Sequence, residues 1–258
     1  ETSEISLPTQ NENPTKFETT EPAESQPETP LKKEITGLVE VPGSEVTLGG
    51  GGTKQPLERV LVNNFSIAES EVTNAQYAEF IKETNYRPPL GWKKDKFSNG
   101  AENFPVTNVS FKDAESFCQW LQKKSGVAVR LPSEAEWELA ARGNENNKYP
   151  WGNDWVSGNA NVGSQAFTEI GKFKGASPFG LFDMVGNAWE WTSSDFKAYP
   201  NGKLPDIFAG KSNLKTIRGG SFEATKDFAT TTYRIGWSAT SAETYSRVGF
   251  RCVKEIDK

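Results

Sequence analysis

Apolar and polar residues follow three different rhythms along this chain. From Gly37 to Ile67 they alternate in short runs. The segments 37–43 (GLVEVPG) and 44–48 (SEVTL) predict a β-hairpin turned by Pro42-Gly43, and 59–67 (RVLVNNFSI) predicts a second strand region. Gly49 to Gly52 is expected to be a flexible tip. The rhythm then lengthens to that of a helix, three times over. Thr73-Asn-Ala-Gln76, Ser110-Phe-Lys-Asp113 and Ser133-Glu-Ala-Glu136 each place an N-cap side chain three residues before a partner that can reach back. Behind them, Tyr77, Phe80 and Ile81 share one helix face, and Ala114, Phe117, Cys118 and Leu121 recur at helical spacing. Trp137, Ala140 and Ala141 form a third stripe, ended by Gly143 at the expected C-terminal glycine position. After Gly143 the periodicity fades. The stretches 149–155, 158–163 and 177–194 read as loops, which in a folded domain are commonly functional or held by a metal or partner. Strand-like runs return at 215–222, 233–237 and 248–253.

Residues 1–35 have no such rhythm. They are rich in Glu, Thr, Pro and Ser, and carry eight acidic side chains against three lysines. They predict a disordered acidic tail or linker, with the folded domain spanning 36–258. The net charge is −5, so the tail accounts for all of it and the remainder is balanced. No basic stripe is present, which argues against nucleic acid as a partner. No apolar run is long enough to span a membrane. A signal or lipid anchor removed ahead of residue 1 would make the tail a stalk.

The chain has no histidine. That excludes Ser-His-Asp and Cys-His catalysis and His-ligated zinc or iron. There are eight tryptophans, enough aromatic surface for a large core. Trp137, Trp151, Trp189 and Trp191 are expected to pack in the core or between loops. The cysteines are Cys118 and Cys252. On sequence alone they are two buried thiols or one bridge.

Nine motifs stand in order over roughly 36–254: VEVPG, SEVTNAQYAEF, PVTNVSFKDAESFCQWL, VRLPSEAEWELAARG, YPWGN, NANVG, FGLFDMVGNAWEWT, IRGGSF and VGFRC. Together they resemble the formylglycine-generating-enzyme (sulfatase-modifying factor) family. The resemblance implies an α+β fold, a loop-rich variant of the C-type lectin fold with small sheets and a few short helices. It also implies a Cys118–Cys252 disulfide and hence an oxidising compartment. In that family's enzymes a copper-binding cysteine pair follows the Gly-Gly-Ser motif and oxidises a substrate cysteine. The corresponding places here are Ala224 and Ala229, so no copper and no catalytic residues are expected. Glu223, Asp227 and Tyr233 nearby form no catalytic pattern and are expected to be surface groups.

The similar enzymes bind calcium through positions matching Asp183, Gly186, Ala188 and Glu190, two side chains and two carbonyls, as a hard cation requires. A second calcium site there matches Asn161 and Val162, but the following loop here lacks its Asp. The segment 223–247 replaces the enzymes' active-site wall with Thr, Ser, Ala, Tyr and Trp. Tyr233, Trp237 and Tyr245 are expected to line a binding groove there, as aromatic anchors among adaptable polar groups. The function expected is that of a non-catalytic binding or accessory structural subunit of a larger envelope protein complex, periplasmic or at a bacterial cell surface. The alternatives are an enzyme of the same family with non-cysteine chemistry, or a lectin-like module binding a ligand or glycan.

Overall fold

Three capping boxes start three helices. The computed structural model describes residues 37–49, 58–200, 202–239 and 246–256; the tail, Gly50 to Gly52 and Tyr245 lie outside them. Helix α1 is Asn74–Thr84, α2 is Phe111–Ser125 and α3 is Glu134–Arg142. In each, the N-cap hydroxyl accepts the N–H three residues on, and that residue's side chain accepts the N-cap N–H. The helices end on Asn85 and Gly126, both left-handed, and on Gly143, whose φ is also positive but whose backbone is otherwise extended; a positive φ favours these residue types. Tyr77, Phe80 and Ile81 are buried, as are Ala114, Phe117 and Cys118, while Leu121 is half-buried.

The strands are β1 (Leu38–Val41), β2 (Glu45–Leu48), β3 (Glu58–Leu61), β4 (Phe65–Ala68), β5 (Val129–Arg130), β6 (Trp189–Asp195), β7 (Leu214–Arg218), β8 (Arg234–Ser238), β9 (Val248–Gly249) and β10 (Val253–Glu255). They form sheets ordered β1-β4-β10-β5, β2-β3 and β8-β7-β6-β9. Only the β6–β9 pairing is parallel among these.

The expected hairpin at 37–48 does not form. β1 pairs with β4, Val39 opposite Ile67, and β2 pairs with β3, Val46 opposite Val60. Gly43 lies where the chain passes from one sheet to the other. A Cβ there would stand 2.4 Å from the Val62 carbonyl oxygen, so this glycine allows a close backbone crossing. The 59–67 region likewise divides, giving β3 to one sheet and β4 to another. The predicted loop 177–194 ends in a strand, since β6 begins at Trp189.

Helix α3 is buried on every side, including Glu134, Glu136, Glu138 and Arg142. Its charges are paired. Arg218 on β7 donates to Glu138 and to Glu134 (3.2 Å), Arg234 on β8 donates to Glu134 (2.8 Å), and Arg142 pairs with Glu138. Arg218 also donates to the carbonyls of Thr231 (2.8 Å) and Thr232 (3.1 Å). This ties α3 to β7, β8 and the segment between them. Cys118 of α2 and Cys252, just before β10, form a disulfide with Cα atoms 6.2 Å apart. Among the described residues, no helix is long and apolar enough to cross a membrane.

Candidate functional site

β7 runs into Gly219 and Gly220, both left-handed, with φ of 91° and 81°. The chain then coils through two turns, closed by Ala224 N–H to Ser221 O and Ala229 N–H to Thr225 O. These turns bring Ala224 and Ala229 together. A Cβ on Gly220 would lie 3.2 Å from the Ala224 methyl carbon and 3.4 Å from that of Ala229. Ala229 is fully buried against Ala160 and Val185, with Trp151, Trp155, Val162 and Ala224 around that cluster. The result is a small apolar floor. It offers no thiolate, imidazole or carboxylate to a metal or a reacting group.

Charged groups stand at its rim. Exposed Glu223 pairs with Arg247, and exposed Asp227 pairs with Lys148 (3.1 Å). Such pairs at the surface contribute little to stability. Beside them runs a ladder of rings. Phe228 is 50% exposed, with its centroid 5.1 Å from that of Tyr233, which lies 5.9 Å from Trp189. Burial pushes the Tyr233 phenol above its usual range, so it stays neutral and can donate a hydrogen bond. Tyr233 reaches this region through its ring contact with Phe228, the chain neighbour of Ala229. Trp237 is half-buried and packs on the main core, which gives it a structural share. Tyr245 lies outside the described residues. Phe228 was missed in the sequence, where a Phe next to an alanine gives no sign of which side faces solvent.

A second constellation surrounds the loop 183–190. Asp183 and Asn187 are left-handed, and a Cβ on Gly186 would stand 2.5 Å from the Asn161 carbonyl oxygen. The loop is therefore wound tightly against 161–162. Asp183 Oδ2 accepts the Gly171 N–H at 2.6 Å, while its Oδ1 is buried without a hydrogen-bond partner. Burial pushes the Asp183 carboxyl up to about 6, helped by the Glu190 charge and opposed by the Gly171 N–H and Arg251. Glu190 is fully engaged. Arg251 donates to both its oxygens (2.7 and 2.8 Å), and Trp137 Nε1 adds a bond of 2.9 Å.

Glu71, from the loop before α1, also faces this place. Its Oε1 accepts from Asn187 Nδ2 at 3.2 Å, and its Oε2 is buried and unpartnered. Burial first, then the charges of Asp183 and Glu190, hold its carboxyl well above the usual carboxylate range. Nothing in the alternation of the sequence marks Glu71 as interior. Asn161 is spent on its own loops: its side-chain oxygen accepts from Ser164 (2.6 Å) and its carbonyl from the Asn187 N–H (2.9 Å). Among the described residues no group of three or more His, Cys, Asp or Glu side chains is arranged to hold a metal. Any cation here would draw on carbonyl, hydroxyl or water oxygens as well. The orphaned Asp183 oxygen fits such a cation; the Glu190 oxygens already have partners.

Residues 23–256 match the family described as the sulfatase-modifying factor enzyme 1-like domain. The chain is 29% identical over 284 residues to the inactive C-alpha-formylglycine-generating enzyme 2 of Bos taurus, covering 85% of this chain and 88% of that one. It is 26% identical over 305 residues to the formylglycine-generating enzyme of Mycobacterium tuberculosis, covering 86% and 98%. Among solved structures, PvdO from Pseudomonas aeruginosa shares the fold, with a TM-score of 0.71 and 24% identity over 85% of this chain and 94% of that one.

Proposed function

The chain belongs to the sulfatase-modifying factor enzyme 1-like family, and from that membership we propose that it is a non-catalytic member. It serves as an accessory or binding subunit of an extracytoplasmic protein complex and acts through protein–protein contacts. The observation that carries this reading is the pair of alanine methyls converging on Gly220. Copper-dependent thiol oxidation needs two soft ligands at one point, and the place that would supply them is apolar and filled. The similarity to an inactive relative supports the same view.

The exposed ring of Phe228 and the half-buried ring of Tyr233 beside it are the contact surface. Aromatic side chains bury much area at low entropic cost and dominate interface energetics. The Cys118–Cys252 bridge supports an oxidising, extracytoplasmic compartment, periplasmic or at the cell surface. Calcium bound around Asp183, with the Gly186 and Ala188 carbonyls and Glu190, would neutralise buried acid and stiffen the loops that carry the floor. The Asn161–Val162 pair would add a weaker second site, since Asn161 would have to share with the ion the oxygens that now accept from Ser164 and Asn187.

Two measurements test the reading. The full chain, given Cu(I), oxygen and a cysteine-bearing peptide, is expected to form no aldehyde; turnover would overturn the non-catalytic assignment. Native protein purified gently from its source envelope is expected to bring stoichiometric partners. Phe228→Ala with Tyr233→Ala should lose them at an unchanged melting temperature. Partners retained by that double variant would move the contact surface elsewhere.

A further inference from the structure

The connection between α1 and α2 carries a short basic hairpin that takes no part in the alanine floor or the loop of Asp183. It is built from two consecutive turns. The Trp92 N–H donates to the Pro89 carbonyl (3.3 Å), closing a turn with Leu90 and left-handed Gly91 at its tip. Lys93 and Lys96 then exchange both backbone bonds, at 3.0 and 3.3 Å, closing a second turn with Lys94 and Asp95 at its tip. The base is fixed. Trp92 packs on the main core, edge-on to buried Tyr77 (ring centroids 6.2 Å apart) and to Phe97 (5.2 Å). Lys93, Lys94, Asp95 and Lys96 are all exposed, and Leu90 is 62% exposed.

Three features set this hairpin apart. Its lysines make no ion pair among the described residues, whereas Lys124, Lys148, Lys197, Lys203 and Lys215 each have a carboxylate partner. Lys94 is held at a φ of 58°, a backbone conformation that glycine or asparagine adopts at less cost. A strained residue of this kind points to a role for its side chain. Leu90, finally, places an exposed aliphatic group one turn from the lysines. We propose that this hairpin docks the protein on an anionic lipid surface. The ammonium groups would meet the headgroups, while Leu90 and the lysine stems cover the apolar boundary beneath them. Lysine suits such a partner, because it offers mobile point charges where arginine offers a fork shaped to one carboxylate or phosphate. Two turn tips also make a convex edge, which can press on a surface but cannot enclose a peptide. The proposal goes beyond the accessory-subunit reading, which concerns the Phe228 surface.

The test is sedimentation of the full chain with vesicles, either of phosphatidylcholine alone or of phosphatidylcholine and phosphatidylglycerol in equal parts. The native chain is expected to bind the mixed vesicles, to ignore the neutral ones, and to be released by salt. Each lysine at an anionic surface is worth about fivefold in partitioning, so Lys93→Gln, Lys94→Gln and Lys96→Gln together should weaken binding about a hundredfold. Leu90→Ser should weaken it several-fold at an unchanged melting temperature. Lys94→Gly, which suits the left-handed backbone, should lose about fivefold in binding while its melting temperature holds or rises. That pairing of lost binding with kept stability separates a docking lysine from a structural one. Equal binding of neutral and mixed vesicles, or none to either, would overturn the proposal. So would a triple variant that binds mixed vesicles as well as the native chain does. If the native chain ignores vesicles and the triple variant loses an envelope protein that the native chain retains, the ligand is an acidic protein surface and the lipid assignment fails.

Discussion

Arg218 illustrates how much depends on a single side chain here. It is fully buried, bonds Glu134 and Glu138, and holds the carbonyls of Thr231 and Thr232. Removing one partner of a buried ionic network leaves the other charge stranded, which costs about 3–5 kcal/mol. Arg218→Met is therefore expected to lower unfolding free energy by about that amount in urea titration, and an effect below about 1 kcal/mol would show that Arg142 and Arg234 compensate. Composition places arginine at the surface, and nothing local to Ile217-Arg218-Gly219 says otherwise. Glu71 and Glu138 share that obscurity. By contrast, Gly219 and Gly220 are legible as a place needing special backbone freedom. The structure adds the reason: Trp137 lies 3.3 Å from a Cβ on Gly219, and the alanine pair closes on Gly220.

Helices were the elements most clearly written in the sequence, because a capping box and an apolar stripe are both local signals. All three begin where the boxes predict. The strands were found but mispaired. Alternation within 38–48 shows that two strands exist, while their partners, β4 and β3, are chosen by the sheets that bury them. The α3 cap also carries a pH dependence. Burial raises the Glu136 carboxyl, but the hydrogen bonds and charge of Arg130 outweigh it and hold the carboxyl below its usual range, aided by the Ser133 N–H. A carboxyl lowered in the folded state stabilises above its unfolded value and loses that contribution as pH falls through the folded one. Glu136→Gln should therefore lower the melting temperature at pH 7 and narrow the gap to the native chain below about pH 4. A gap unchanged with pH would show that the cap, and not the charge, is what matters.

For the whole molecule, the disulfide is the decisive cross-link. It joins α2 to the start of β10 across 134 residues, and β10 sits between β4 and β5. Closing so long a loop restricts the unfolded chain by about 4–5 kcal/mol in the chain-entropy picture. Reduction under native conditions should lower the denaturation midpoint correspondingly. A midpoint insensitive to reductant would show that the core around Phe117, Tyr77 and Phe250 suffices alone. The same bridge seats Arg251 against Glu190, so reduction is also expected to loosen the loop of Asp183, read as faster amide exchange at Gly186 and Asn187.

The sequence by itself determined the family, the three helix starts, the alanines that follow the Gly-Gly-Ser motif and the cysteine pair, because each is carried by residue identity at a fixed spacing. Tertiary structure alone decided which strands pair, that six charged side chains on and around α3 are interior, and that buried Glu71 reaches Asn187 beside the loop of Asp183. It also decided that Ala224 and Ala229 meet over Gly220 and that Phe228 stands exposed beside them. These depend on contacts between segments far apart in the chain. Burial, charge pairing and register are properties of the assembled surfaces, and no local pattern encodes them.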